Sequence, residues 1–136
     1  MRRTACILFL ATLLGAAPPS KSLSPEQVVA RQIEAYNAHD VEAFAATYGD
    51  DVELGELPSV RPAAKGKAGL KADYLRIFKE NPDLHASAKD QIASGPWIIH
   101  REKVTGLAGR KDAVEVVVIY QVKEGLIRKV WFLAGD

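Results

Sequence analysis

The segment 113–134, AVEVVVIYQVKEGLIRKVWFLA, constrains the fold of this chain more than any other. Lys123-Glu124-Gly125 is a tight-turn signal between two runs rich in β-branched and aromatic residues, so the segment reads as a β-hairpin. Side chains alternate between the two faces of a strand. Val114, Val116, Val118, Tyr120 and Val122 therefore share one face of the first strand, and Val117 and Ile119 occupy the other. In the second strand Val130 and Phe132 oppose Ile127, Trp131 and Leu133. A hairpin apolar on both faces has to be covered on both, because soluble chains leave few large apolar patches bare. Helices of the same chain can supply one layer. The expected second layer is another copy of the chain, sheet against sheet with Trp131 as an anchor, which makes the protein a homodimer.

Helical signals precede the hairpin. Ser24-Pro25-Glu26-Gln27 offers a capping serine, a proline suited to the first turn and the glutamine of a capping box, and Val29, Ile33 and Tyr36 follow at helical spacing. That helix ends near Asn37-Ala38-His39. Asp40 then caps a second, short helix whose Val41, Phe44, Ala45 and Tyr48 recur at i, i+3, i+4 and i+7 until Gly49 stops it. DDVELGELP (50–58) reads as a strand, and PSVRPAAKG (58–66) as a loop with room for a short edge strand. A third helix runs from about Lys67 to Glu80 with Leu70, Tyr74, Ile77 and Phe78 on one face, and Asn81-Pro82 ends it. LHASAKDQIA (84–93) and WIIHREKVTGL (97–107) are strands on either side of a Ser-Gly-Pro turn. This order of elements predicts one α+β domain, a bent antiparallel sheet with helices packed on one face.

The first residues do not belong to that domain. MRRTACILFLATLLGAAPPS has two arginines, an uninterrupted apolar run from Ala5 to Leu14, then small residues and prolines. This is the pattern of a secretory leader, and the run is too short to span a membrane comfortably. Residues 1–22 are accordingly expected to be a signal peptide, cleaved after about residue 17–22, and 23–136 the mature domain, exported to the periplasm or the extracellular space. Losing Arg2 and Arg3 takes the formal charge from +1 to −1, and losing Lys21 takes it to −2. No basic excess then remains for nucleic acid or anionic lipid. The single cysteine, Cys6, leaves as well, so the mature domain has no thiol chemistry. The three histidines are widely spaced, no metal-ligand motif is present, and GKAGLK is too short for a phosphate-binding loop, so neither metal nor cofactor is expected.

The element order and the run AYNAHDVEAFAATYGDDVEL carry a resemblance. Asn37 and Asp40 in an N-x-x-D pattern, Phe44 and Tyr48 in a short apolar helix, Asp50-Asp51 before the first strand, the glycine at Gly66 and the closing VWF strand are similar to the nuclear transport factor 2-like superfamily, on the side of the SnoaL-like cyclases and ketosteroid isomerases. The resemblance covers the whole mature chain. It implies a cone-shaped half-barrel with three helices on the concave face of the sheet, a pocket between them, and usually a dimer. Its motifs are caps and core positions, so they speak to fold more than to chemistry.

The isomerases of that family use a carboxylate base near the end of the first strand and an oxyanion hole made of a first-helix tyrosine and a late-strand acid. Counting from Asp50-Asp51, the base position falls at Glu56, the tyrosine near Gln32 and the acid near Val118 or Ile119. One of three groups is present, so faithful ketosteroid isomerase chemistry is not expected. Tyr36, one turn after Gln32, and Tyr120 are candidate replacement donors. Glu56 itself has two readings. Strict alternation from Val52 and Leu54 turns it inward, whereas a bulge at Gly55 turns Leu57 in and Glu56 out. His100 and Glu102 share a strand face with Ile98 and Val104 and so line the pocket; alternatively Trp97 and Ile99 mark the inner face and HREK is a solvated strand. Phe44, Tyr74, Phe78, Val118 and Phe132 complete the expected wall, as lining or as core.

The leading expectation is an exported domain that binds a small apolar molecule in this pocket. The alternatives are an isomerase, cyclase or hydratase with Glu56 as proton shuttle, and a dimeric interaction module with a vestigial pocket.

Overall fold

Ser24 opens the first helix as its sequence requires. Its hydroxyl accepts from the Gln27 backbone N–H, and its own N–H donates to the Gln27 side chain at 2.9 Å, closing the capping box. The computed structural model describes residues 22–59 and 64–134, so the leader lies outside the described residues. Helix α1 spans Pro25–Asn37. His39 then takes a left-handed φ of 53° that turns the chain, and the Asp40 carboxylate caps α2 (Val41–Ala46) by accepting from Ala43 N–H at 3.0 Å. β1 is Tyr48–Glu56, β2 the two residues Ala64–Lys65, and α3 Lys67–Glu80. β3 (His85–Ser94), β4 (Trp97–Thr105), β5 (Val114–Lys123) and β6 (Leu126–Ala134) complete the domain.

The N-x-x-D residues act as fasteners. Asn37 donates from Nδ2 to the Ala86 carbonyl at 2.9 Å and accepts from the Ala86 N–H at 2.8 Å. His39 donates from Nε2 to the Leu84 carbonyl at 2.8 Å and stacks on Phe78 at 4.8 Å between ring centroids. The end of α1 is thereby tied to the first residues of β3. Asp50 and Asp51 are exposed and structural: Lys67 Nζ meets Asp50 at 2.9 Å, and Arg128 meets Asp51 at 2.8 Å.

The sheet runs in the order β2-β1-β6-β5-β4-β3. Every neighbouring pair is antiparallel except β1 and β6, which are parallel, so the expected all-antiparallel sheet is in fact mixed. The β5–β6 turn has positive φ at Glu124 (54°) and Gly125 (72°), the backbone of a two-residue hairpin loop. One expectation about the hairpin is overturned. Tyr120 pairs with Val130 and Gln121 with Lys129, but Val122 pairs with Ile127, so Arg128 is an extra residue in β6. This bulge reverses the alternation and sends Ile127 into the core, fully buried, instead of outward with Trp131.

Helices α1, α2 and α3 pack on one face of the sheet. Val28, Val29, Phe44, Tyr48, Val52, Leu70, Ile98, Ile127 and Val130 are almost fully buried between the layers. Tyr36, Phe44, Tyr74 and Phe78 join the three helices through their rings: Phe44 and Tyr74 are tilted with centroids 4.4 Å apart, and Tyr36 and Phe78 meet edge to face at 5.4 Å and 80°. On the opposite face, Val117, Ile119, Trp131 and Leu133 are half-buried. The Trp131 ring lies over Gly55, where an added Cβ would fall 2.1 Å from the ring, so only a glycine fits beneath it. The large apolar side chains found exposed among the described residues are Leu75 and Ile92, neither of them in the hairpin.

Candidate functional site

β4 turns Ile98, His100 and Glu102 inward and leaves Arg101 exposed. The HREK run is thus split by strand alternation, and its acid and histidine are buried at 6% and 3% exposure. Buried polar groups persist where they are hydrogen-bonded, and these are. The Tyr120 hydroxyl on β5 donates to Glu102 Oε1 at 2.9 Å, and His100 Nδ1 lies 3.3 Å from the same oxygen. His100 Nε2 contacts the Gln91 side chain on β3 at 2.8 Å. Gln91 is exposed, so a continuous polar chain runs from the surface through His100 and Glu102 to Tyr120.

That chain ends at a cavity of about 70 Å³ between α1 and the sheet. Gln32, Tyr48, Ala86, Glu102, Val118, Tyr120 and Val130 form its buried walls; Ile33, Tyr36, Tyr74, Val104, Val116 and Phe132, all half-buried, surround them. All four tyrosines of the chain line this one space. Burial pushes the Tyr36 phenol up to about 12, with the Glu102 charge adding to the effect. Burial likewise holds Tyr48, Tyr74 and Tyr120 above the ordinary phenol range; Glu102 reinforces this at Tyr120, and Gln32 works in the other direction at Tyr48. At neutral pH the tyrosines are therefore neutral groups able both to donate and to accept. Gln32 is 5% exposed, and its Oε1 is the buried side-chain N or O atom without a hydrogen-bond partner among the described residues.

Tyr36, Tyr74, Glu102, Val118, Tyr120 and Phe132 are thus brought together at the cavity, with His100 directly behind Glu102. Phe44 and Phe78 are core, packed against the tyrosine rings and outside the lining. Glu56 is exposed and does not line the cavity. It pairs with Phe132 across β1–β6, so it does sit on the inner face, but beyond the covered part of it. No bulge at Gly55 is involved; the β1–β6 register shifts earlier, between Tyr48 and Glu53. Two polar residues of the cavity escaped the sequence reading. Tyr48 begins β1 instead of closing α2, and Gln32 stands three and four residues after Val29 and Val28, a spacing that already marked it as facing the core.

The model of the SnoaL-like domain family matches residues 29–130. The chain belongs to this SnoaL-like family. Among curated proteins, no sequence match was found. Among solved structures, an uncharacterized cystatin-fold protein from Novosphingobium aromaticivorans is 26% identical with a TM-score of 0.73, covering 81% of this chain and 97% of its own. A candidate ketosteroid isomerase from Kribbella flavida is also 26% identical, with a TM-score of 0.65 and coverage of 82% and 78%. An NTF2-like protein of unknown function from Cytophaga hutchinsonii, at 11% identity, TM-score 0.69 and coverage of 85% and 93%, shares the fold alone. The SnoaL-like domain is accordingly an NTF2-like α+β cone, three helices against an open mixed sheet.

Proposed function

We propose that this SnoaL-like domain binds a compact small molecule, apolar in body and polar at one end, in the cavity between helices and sheet. The observation that carries this reading is the buried, unpartnered Oε1 of Gln32, a residue that lines the same cavity as Glu102. A lone buried acceptor costs about 1–3 kcal/mol unless something donates to it. The volume of about 70 Å³ favours a molecule much smaller than a steroid, since pockets for drug-sized ligands run to roughly 300–1,000 Å³. A thermal-shift and NMR screen of small molecules tests the reading. Binding that perturbs the cavity tyrosines and is abolished by Val116→Phe, which puts a larger side chain into the lining, supports it; binding indifferent to that substitution refutes it.

A second reading is favoured by the polar chain from Gln91 to Tyr120. A buried carboxylate with a histidine behind it suits proton transfer, and the Kribbella flavida relative gives isomerase chemistry as the precedent. In that reading Glu102, not Glu56, carries the proton. Hydrogen–deuterium exchange next to a carbonyl that continues unchanged in Glu102→Gln rules it out. Export after leader cleavage and a homodimer through the Trp131 face remain part of the proposal. The N-terminal sequence of the secreted protein tests the first, and a monomeric mass at micromolar concentration rejects the second.

A further inference from the structure

The walls of the cavity differ from an ordinary apolar pocket in the sign of what they lack. Among the described residues the lining holds no lysine or arginine, and its one carboxyl group is Glu102. Both hydrogen bonds to Glu102 land on Oε1, and among the described residues Oε2 accepts none. Gln32 Oε1 is a second acceptor without a donor. The phenols of Tyr36, Tyr48 and Tyr74 can accept as readily as donate. An anionic guest would face Glu102 with no lysine or arginine among the described lining residues to balance it, and a guest that only accepts hydrogen bonds would leave Gln32 unsatisfied.

Resting on the binding role proposed above, we infer that the guest is a small aliphatic amine held as its ammonium ion. An ammonium carries three donors and no acceptor, which matches Glu102 Oε2, Gln32 Oε1 and one phenol oxygen. The rings of Tyr36, Tyr74 and Phe132 in its half-buried lining attract a cation through their π-systems. Val104, Val116, Val118 and Val130 receive a short hydrocarbon body. His100 Nδ1 faces Glu102 Oε1 at 3.3 Å and Nε2 faces Gln91 Oε1 at 2.8 Å; turning the Gln91 amide end for end puts its NH2 on Nε2, and the neutral ring then donates from Nδ1–H to the carboxylate.

The test uses three probes of one size, propylammonium, 1-propanol and propionate, titrated into the mature protein by NMR. Propylammonium is expected to bind about tenfold or more tighter than propanol, because a hydrogen bond to a charged group is roughly twice as strong as a neutral one. Propionate is expected not to bind. Glu102→Gln should remove the preference for the amine while propanol binding persists, and Gln32→Met should weaken the amine several-fold. Circular dichroism confirms that each variant is folded. If propionate matches the amine, or the preference survives both variants, the amine assignment is wrong and the pocket stands. If none of the three perturbs the cavity tyrosines, the binding role itself falls and the inference falls with it.

Discussion

Glu56 on β1 and Glu102 on β4 face the same side of one sheet, with β6 and β5 between them. Glu56 stands beside Phe132 at the exposed end of its strand; Glu102 is 6% exposed and serves both Tyr120 and His100. Alternation assigns each to the inner face. What separates them is depth, which depends on where helices lie over the sheet. A pattern of period two carries no record of that.

The largest expected contrast is in stability. Glu102→Ala leaves the Tyr120 hydroxyl and the His100 ring buried without their shared partner, and should cost about 3 kcal/mol in urea denaturation, the scale of breaking a buried polar pair. Glu56→Ala should stay within about 0.5 kcal/mol. Equal costs would dissolve the distinction between the two acids. Next comes alkaline titration. A raised phenol pKa means that the folded chain keeps protons which the unfolded chain gives up near pH 10, so stability is full below pH 10 and is lost as pH climbs through about 12 for Tyr36. Phenolate absorbance should therefore appear together with unfolding, and Glu102→Gln should shift Tyr120 downward where Glu56→Gln does not. Smaller still, Gln32→Leu removes the orphaned acceptor together with the hydrogen bond between Gln32 and the buried Tyr48, so it should change stability by less than about 1 kcal/mol while weakening ligand binding. Unchanged binding in that variant would separate Gln32 from the site.

Most of the fold was legible because its signals are local. The Ser24 capping box, the Asp40 cap, the Asn81-Pro82 stop and the Glu124-Gly125 turn each act within a few residues of themselves. The parallel pairing of β1 with β6 is not local, and no residue in either strand announces it. The inward turn of Ile127 follows from one extra residue at Arg128, whose side chain bonds Asp51 and Glu124; a strict alternation count cannot see it. The site was half legible. Tyr36, Tyr74, Glu102 and Tyr120 lay on identifiable faces, but the charged HREK run masked the inward pair, and the family position drew attention to Glu56 at the sheet's uncovered end.

The fastening of Asn37 to Ala86 has a further consequence. β3 is the outermost strand on its side of the sheet, and an outermost strand is where foreign chains add themselves and where fibrils begin. By taking both the N–H and the C=O of Ala86, the Asn37 amide occupies the start of the hydrogen-bonding row that a newcomer would need, and His39 takes the Leu84 carbonyl beside it. The same residue that ends a helix thus serves as a guard against aggregation at one margin of the molecule.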